Sequence, residues 1–250
     1  MVVNTNTIAN NKILYIYKDN TEYANDYKNF LENKGYSVSL INMNHINSSF
    51  LTQFDLIIIG ADTGVSNTWS NYTACLIVFE SARPIIGISG GGASFFDNIS
   101  LKIGWGECWI VPSISTVKSG NISGILFNTP NTFKNNTVYT LYSVKCSAYS
   151  VYVPNKTSDL TLIGREESST THYPVIMQNL TYVLWGIEYD PINMTYYGLN
   201  LFINIVNFLI VTHAPSETVI PPSIPGFELI VVALSITPLI LVSKKKGIIK

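Results

Sequence analysis

Residues 82–96 read ARPIIGISGGGASFF, and the fold turns on them. PIIGIS (84–89) is a short apolar run that suits a buried strand, three glycines follow Ser89, and a helix-compatible stretch begins there. A strand passing into a helix through a glycine turn is the repeating unit of a parallel α/β sheet. The same unit recurs towards the amino terminus. FDLIIIGAD (54–62) reads as a strand ending in a polar turn, and WSNYTACLIVFESAR (69–83) as the helix behind it. KILYIYKD (12–19) and YSVSLINM (36–43) read as two more strands. The helix between them carries Tyr23, Tyr27, Phe30 and Leu31 on one face and Gly35 at its end.

Residues 105–185 look different. WIVPSIS, VYTLYSVKCSAYSVYV, DLTLIG, YPVIMQ and TYVLWGIEY are β-like runs parted by turn residues, so additional and partly antiparallel strands are expected there. NMTYYGLNLFINIVNFLIV (193–211) is then a final, heavily covered helix with Thr195 as a candidate N-cap. The expected class is α/β: a flavodoxin-like three-layer sandwich on a mostly parallel sheet, with extra strands in its carboxyl-terminal half. In such sheets ligands lie beyond the carboxyl ends of the strands. Asp19, Asp62 and Ser89 end three predicted strands and are expected to approach one another there.

Gly87-Ile88-Ser89-Gly90-Gly91 fits G-x-S-x-G, in which a strained turn displays a nucleophile and its neighbours must be small. The glycines also suit plain strand–helix packing, so the pattern alone leaves Ser89 open. A serine needs a base, and the chain has three histidines, His45, His172 and His213. Ser89, Asp159 and His172 stand in the chain order of an α/β-hydrolase triad, with His172 in the polar loop EESSTTHYP.

Three blocks, FDLIIIGADTG, ARPIIGISGGG and YVLWGIEYDPINMTYYGLNLFINIVNFL, together resemble the class I glutamine amidotransferase-like superfamily, over roughly residues 12–211. In that family the elbow reads G-[IV]-C-x-G and a later block G-[IV]-Q-F-H-P-E. The resemblance places the nucleophile's position at Ser89, the base histidine's at Asp190 and the orienting glutamate's at Ile192, within Gly186-Ile187-Glu188-Tyr189-Asp190-Pro191-Ile192. GADTG (60–64) then stands for the glycine-rich oxyanion loop. Serine without imidazole is not activated, and isoleucine orients no base, so the departures imply that amidotransferase activity is lost. An aspartate at 190 would serve as a base only with a pKa raised far above its usual ~3.9. Asp19, Asp62, Thr63, Gly90, Gly91 and Glu188 are the expected lining of a ligand pocket. No metal site and no cofactor are expected.

Only 12% of the 250 residues are charged, against a usual ~25%. The formal net charge of −1, without a basic stripe before the last eight residues, excludes a nucleic-acid footprint. Asn, Ser and Thr supply the polarity, and the triplet N-x-S/T begins at Asn47, Asn71, Asn98, Asn121, Asn135, Asn155, Asn179 and Asn193. These are glycan acceptors if the chain is exported, or a by-product of an Asn-rich composition if it is not. Cys75, Cys108 and Cys146 form no metal pattern. Cys75 reads as packed, and a Cys108–Cys146 bridge stays open for an exported chain.

HAPSETVIPPSIPG (213–226) is a proline-rich spacer, FELIVVALSITPLILV (227–242) is almost wholly apolar, and SKKKGIIK closes the chain. A helix over residues 227–243 would be about 25 Å long, enough to anchor in a ~30 Å hydrocarbon core with lysine snorkelling. The lysines favour the cytoplasmic side, which puts the domain of residues 12–212 outside, on a single-pass anchor facing glycans or envelope proteins. MVVNTNTIANNK, the tail of residues 1–11 included, has no apolar leader. Export by another route, a start lost upstream, and a tail anchor with a cytosolic domain therefore all stay open. IPGFELIVVAL before lysines also resembles the PGF-type sorting tails of archaeal surface proteins, which implies cleavage and lipid attachment. Three functions follow as candidates: a non-catalytic surface module that binds a small polar ligand, a structural envelope component, and a hydrolase using Ser89.

Overall fold

The structure is a computed structural model that describes residues 11–122 and 124–214. The chain alternates first: β1 (Lys12–Tyr17), α1 (Thr21–Glu32), β2 (Ser37–Asn42), α2 (Ser48–Leu51) and β3 (Leu56–Ile59). A two-residue hairpin follows, β4 (Gly64–Val65) and β5 (Thr68–Trp69), then α3 (Tyr72–Glu80), β6 (Ile85–Ile88) and α4 (Ser89–Asn98). The middle of the chain is mostly strands: β7 (Cys108–Ile114), β8 (Thr116–Ser119), α5 (Ile125–Asn128), β9 (Val138–Thr140), β10 (Cys146–Tyr152), β11 (Leu160–Arg165), β12 (His172–Tyr173), β13 (Val175–Gln178) and β14 (Tyr182–Trp185). The long α6 (Tyr196–His213) comes last.

The main sheet has nine strands in the order β2-β1-β3-β6-β14-β13-β11-β8-β9. The first five run parallel, in the doubly wound order expected of a flavodoxin-like fold. The remaining four are antiparallel. The sheet is therefore parallel only in its core: a short turn between β13 and β14 reverses the chain, and every pair beyond β14 is antiparallel. β7, β10 and β12 make a separate small sheet.

Strand alternation builds two cores. Ile13 and Tyr15 of β1, Leu56 and Ile58 of β3, and Ile86 and Ile88 of β6 face one side, with Tyr27 and Leu31 of α1 and Phe202, Ile205 and Leu209 of α6. Leu14, Ile16, Ile57, Ile59 and Ile85 face the other, with Cys75 and Val78 of α3 and Phe95 and Phe96 of α4. Period-two burial on both faces is why these strands read as continuous apolar runs.

On that second face Gly87 and Gly92 are a matched pair. A Cβ on Gly87 would lie 2.6 Å from the Gly92 Cα, and one on Gly92 would lie 2.2 Å from the Gly87 carbonyl carbon. A Cβ on Gly91 would lie 2.1 Å from the Gly60 carbonyl oxygen. The glycine run is thus the surface by which α4 presses against β6 and the turn after β3.

Thr195 caps α6 as expected, accepting from the Gly198 N–H at 3.3 Å. Within α6 the fully buried Asn204 donates to the Leu126 and Asn131 carbonyls at 3.0 and 2.7 Å and accepts from the Asn131 N–H at 3.0 Å. It pins the loop that carries α5, so a polar residue in an apolar helix has every role filled. His213, expected in the spacer, is instead the last residue of α6.

The three cysteines are free. Cys108 faces Val151 and Cys146 faces Ile114, at opposite ends of the β7–β10 ladder. Five residues of β10 separate them, roughly 17 Å at ~3.4 Å per residue, so no Cys108–Cys146 bridge forms. Among the described residues no helix is long and apolar enough to cross a membrane. The anchor expected at 227–243, its spacer beyond Ala214 and the basic tail lie outside the described residues.

Gly91→Ala is expected to destabilise the domain by about 3 kcal/mol or more, since its methyl group meets backbone that cannot yield. Gly106→Ala, whose Cβ would meet only the Asp97 carboxylate at 3.2 Å, should be near neutral. Paired chemical-denaturation curves check the contrast.

Candidate functional site

The carboxyl ends of β1, β3, β6 and β14 converge, as the parallel core requires. Asp62 organises the first two. Its Oδ2 accepts the backbone N–H groups of Lys18, Asp19 and Asn20 at 3.0, 2.6 and 2.6 Å. Asn20 in turn caps α1 by accepting from the Tyr23 N–H at 3.1 Å. The start of α1 thus receives its negative charge from the chain itself. Asp19 contributes its backbone only: its side chain is 80% exposed and pairs with Lys18 at 3.7 Å.

Tyr15, Asn20, Tyr23, Ala61, Asp62 and Glu188 line a crevice of about 180 Å³ at this point. Of the expected lining, Asp62 and Glu188 belong to it. Thr63 lies beneath, fully buried, donating to the Gly60 carbonyl at 2.8 Å and accepting from the Trp69 indole at 2.7 Å. Gly90 and Gly91 are buried in the α4 contact. The Glu188 carboxyl pKa is raised by partial burial. Tyr23 titrates above its usual range through burial first, and then through the charges of Asp190, Tyr189, Glu188 and Glu22.

The Glu188 segment is held firmly. The Tyr189 carbonyl accepts from Tyr27 of α1 at 3.3 Å and from Tyr142 at 3.2 Å, and Tyr142 accepts from the Trp185 indole at 2.9 Å. The Glu188 N–H donates to the Ser147 carbonyl at 3.0 Å.

The elbow itself forms as the sequence implies. Ser89 opens α4 in the left-handed region with φ +49°, a strained conformation for a residue with a side chain. Its hydroxyl is nevertheless sealed. Ser89 is 1% exposed, and Oγ is buried without a hydrogen-bond partner. Tyr149 of β10 covers the turn: its hydroxyl would stand 2.9 Å from a Cβ on Gly90, and its ring packs on Trp105 at 5.3 Å between centroids.

No imidazole reaches Ser89 Oγ. His172, on β12, shares Nδ1 with Ser169 at 2.9 Å and Thr171 at 3.3 Å, and packs against Tyr152. His213 contacts Thr181 and the Leu209 carbonyl, and His45 is exposed. Asp159 pairs with Lys102 at 3.0 Å and Gln178 at 3.1 Å, so it orients no histidine. Asp190 is buried and caps the turn Pro191–Asn193, accepting from the Asn193 amide at 2.7 Å. Ile192 is 79% exposed.

Trp185 is core, Trp109 is 65% exposed, and Trp105 supports Tyr149. Tyr15, Asn20, Tyr23 and Tyr149 were not foreseen as site residues. Tyr15 and Tyr23 sit in patterns that read simply as strand core and helix core, and Tyr149 arrives from a separate sheet.

A scan against protein-family models finds no match, and a search of curated proteins finds no relative. Solved structures do match. A protein from Thermoplasma acidophilum, provisionally described as a component of GMP synthase, is 14% identical, with a TM-score of 0.55 over 80% of this chain and 94% of that one. PurLQS from Thermotoga maritima is 11% identical, with a TM-score of 0.56 over 80% and 99%. The fold is glutamine amidotransferase-like. At these identities the glutamine amidotransferase-like likeness concerns architecture alone.

Asp62→Ala strips one acceptor from three N–H groups at once and should destabilise the domain by about 2–4 kcal/mol in denaturant titrations. Glu188 behaves in the opposite sense. Because its folded carboxyl keeps a proton above the ordinary value of 4.5, ionising it opposes folding, and its contribution to stability is lost as pH rises through the folded pKa. Glu188→Gln should flatten the pH dependence of the melting temperature just above that value without lowering it at neutral pH.

Proposed function

We propose that this chain is a glutamine amidotransferase-like module that has lost amidotransferase catalysis and acts by binding, as a cell-surface component anchored by residues 227–243 with its domain outside. The loss of catalysis rests on one observation: the Ser89 hydroxyl is buried and bonded to nothing, with Tyr149 packed on the next residue, Gly90, while all three imidazoles lie elsewhere. A serine hydroxyl without a base is a poor nucleophile at neutral pH. Asp190, at the position that the resemblance gives to the base, accepts from Asn193 as a turn cap.

The surface role rests on the tail sequence and on the sequons. None of the eight sequon asparagines is buried. Asn98 and Asn193 commit their amides to hydrogen bonds, Asn98 to the Asn67 and Ser94 carbonyls and Asn193 to Asp190. Asn47, Asn155 and Asn179 are exposed and are the better acceptors.

A serine-directed fluorophosphonate should leave the purified chain unlabelled, and Ser89→Cys should gain no glutamine hydrolysis. Labelling that Ser89→Ala abolishes would instead establish the hydrolase reading. For the surface role, glycosidase treatment of chain taken from its native membranes should increase its gel mobility. An unmodified cytosolic domain would refute that placement.

A further inference from the structure

Three polar side chains at the carboxyl ends of β1, β3 and β14 line one crevice, and each has a polar atom without a protein partner among the described residues. Tyr15 is 2% exposed, yet its hydroxyl makes no hydrogen bond, although its ring is locked by stacking on Tyr27 at 5.3 Å. Asp62 has filled Oδ2 with three N–H donors and leaves Oδ1 open. Glu188 makes neither an ion pair nor a side-chain hydrogen bond, on a backbone fixed by the Tyr189 and Ser147 contacts.

The sign of the site follows from its walls. Among the six lining residues two are carboxylates and none is a lysine, arginine or histidine. The nearest lysine in sequence, Lys18, is engaged by Asp19. Behind the wall lie Asp190, Glu22 and Asp26, and the field of Asp190 and Glu22 adds to burial in holding the Asp26 proton. An anion would meet uncompensated repulsion there, and a neutral polyol would leave the carboxylate charge unopposed. A cation with several N–H donors answers both the charge and the open acceptors. The volume of about 180 Å³ admits the end of an aliphatic amine.

We propose that this crevice binds the ammonium or guanidinium end of a small aliphatic cation, with Glu188 and Asp62 as the charge partners and Tyr15 as a hydrogen-bond acceptor. The assignment rests on the reading of the chain as a binding module and gives that module its ligand class.

Calorimetric titration of the purified full chain tests it with agmatine and n-butylammonium, against n-butanol, glutarate and magnesium ion. Both organic cations should bind, while n-butanol and glutarate should not. Loss of a charge partner at about 1.5 kcal/mol or more predicts at least a ~10-fold weaker agmatine Kd for Glu188→Gln. Tyr15→Phe should weaken binding by a few-fold, and a retained cooperative melting transition shows that both variants fold. Binding of n-butanol as tight as that of n-butylammonium, preference for magnesium ion over both amines, or indifference to Glu188→Gln overturns the assignment. So does the absence of amine binding at millimolar concentration. The serine probe separates the two readings. Amine binding with a labelled Ser89 keeps the crevice and ends the claim of lost catalysis, whereas a silent Ser89 without amine binding does the reverse.

Discussion

Backbone-to-backbone approach between α4 and β6 is the constraint on which this domain is built. Gly87 and Gly92 touch where any side chain would hold the two elements apart, and Gly91 meets the Gly60 carbonyl. That contact places the start of α4 in the middle of the sheet, brings the turn after β3 alongside it, and puts Ser89 into a left-handed conformation at the junction. A side chain at any of these glycines would push α4 off β6 or off the turn after β3. Packing alone therefore accounts for their presence, and they are no testimony to chemistry.

What fills the surrounding space then decides what the scaffold can do. The small sheet of β7, β10 and β12 lowers Tyr149 onto the elbow, with Trp105 behind it. The β14 side contributes Asp190, which caps the following turn, and an outward-facing Ile192. A crevice with open polar atoms lies instead at the β1–β3 switch point, where the doubly wound order leaves a gap between diverging connections.

Much of this was legible from the residues. KILYIY, LIII and IIGI are buried on both faces, and an uninterrupted apolar run signals that environment. The antiparallel runs after residue 105 and the Thr195 cap were equally plain. Pairing was not. Nothing local says that β7, β10 and β12 leave the main sheet, or that Cys108 and Cys146 end up at opposite ends of one ladder. Asp62 was legible as a strand-end carboxylate, yet its three N–H donors come from 42–44 residues earlier and belong to tertiary structure. Tyr15 shows the limit most clearly. One side chain serves both the core and the crevice, and a periodicity argument can register only the first.

The tyrosine clamp on the Tyr189 carbonyl also has a kinetic meaning. Two hydroxyls from distant parts of the chain, one of them braced by an indole, hold the loop after β14 before anything arrives. A visitor to the adjoining gap would meet walls already in place, so little motional freedom remains to be surrendered on association. Encounter should accordingly be governed by diffusion and long-range attraction, without a slow rearrangement after contact.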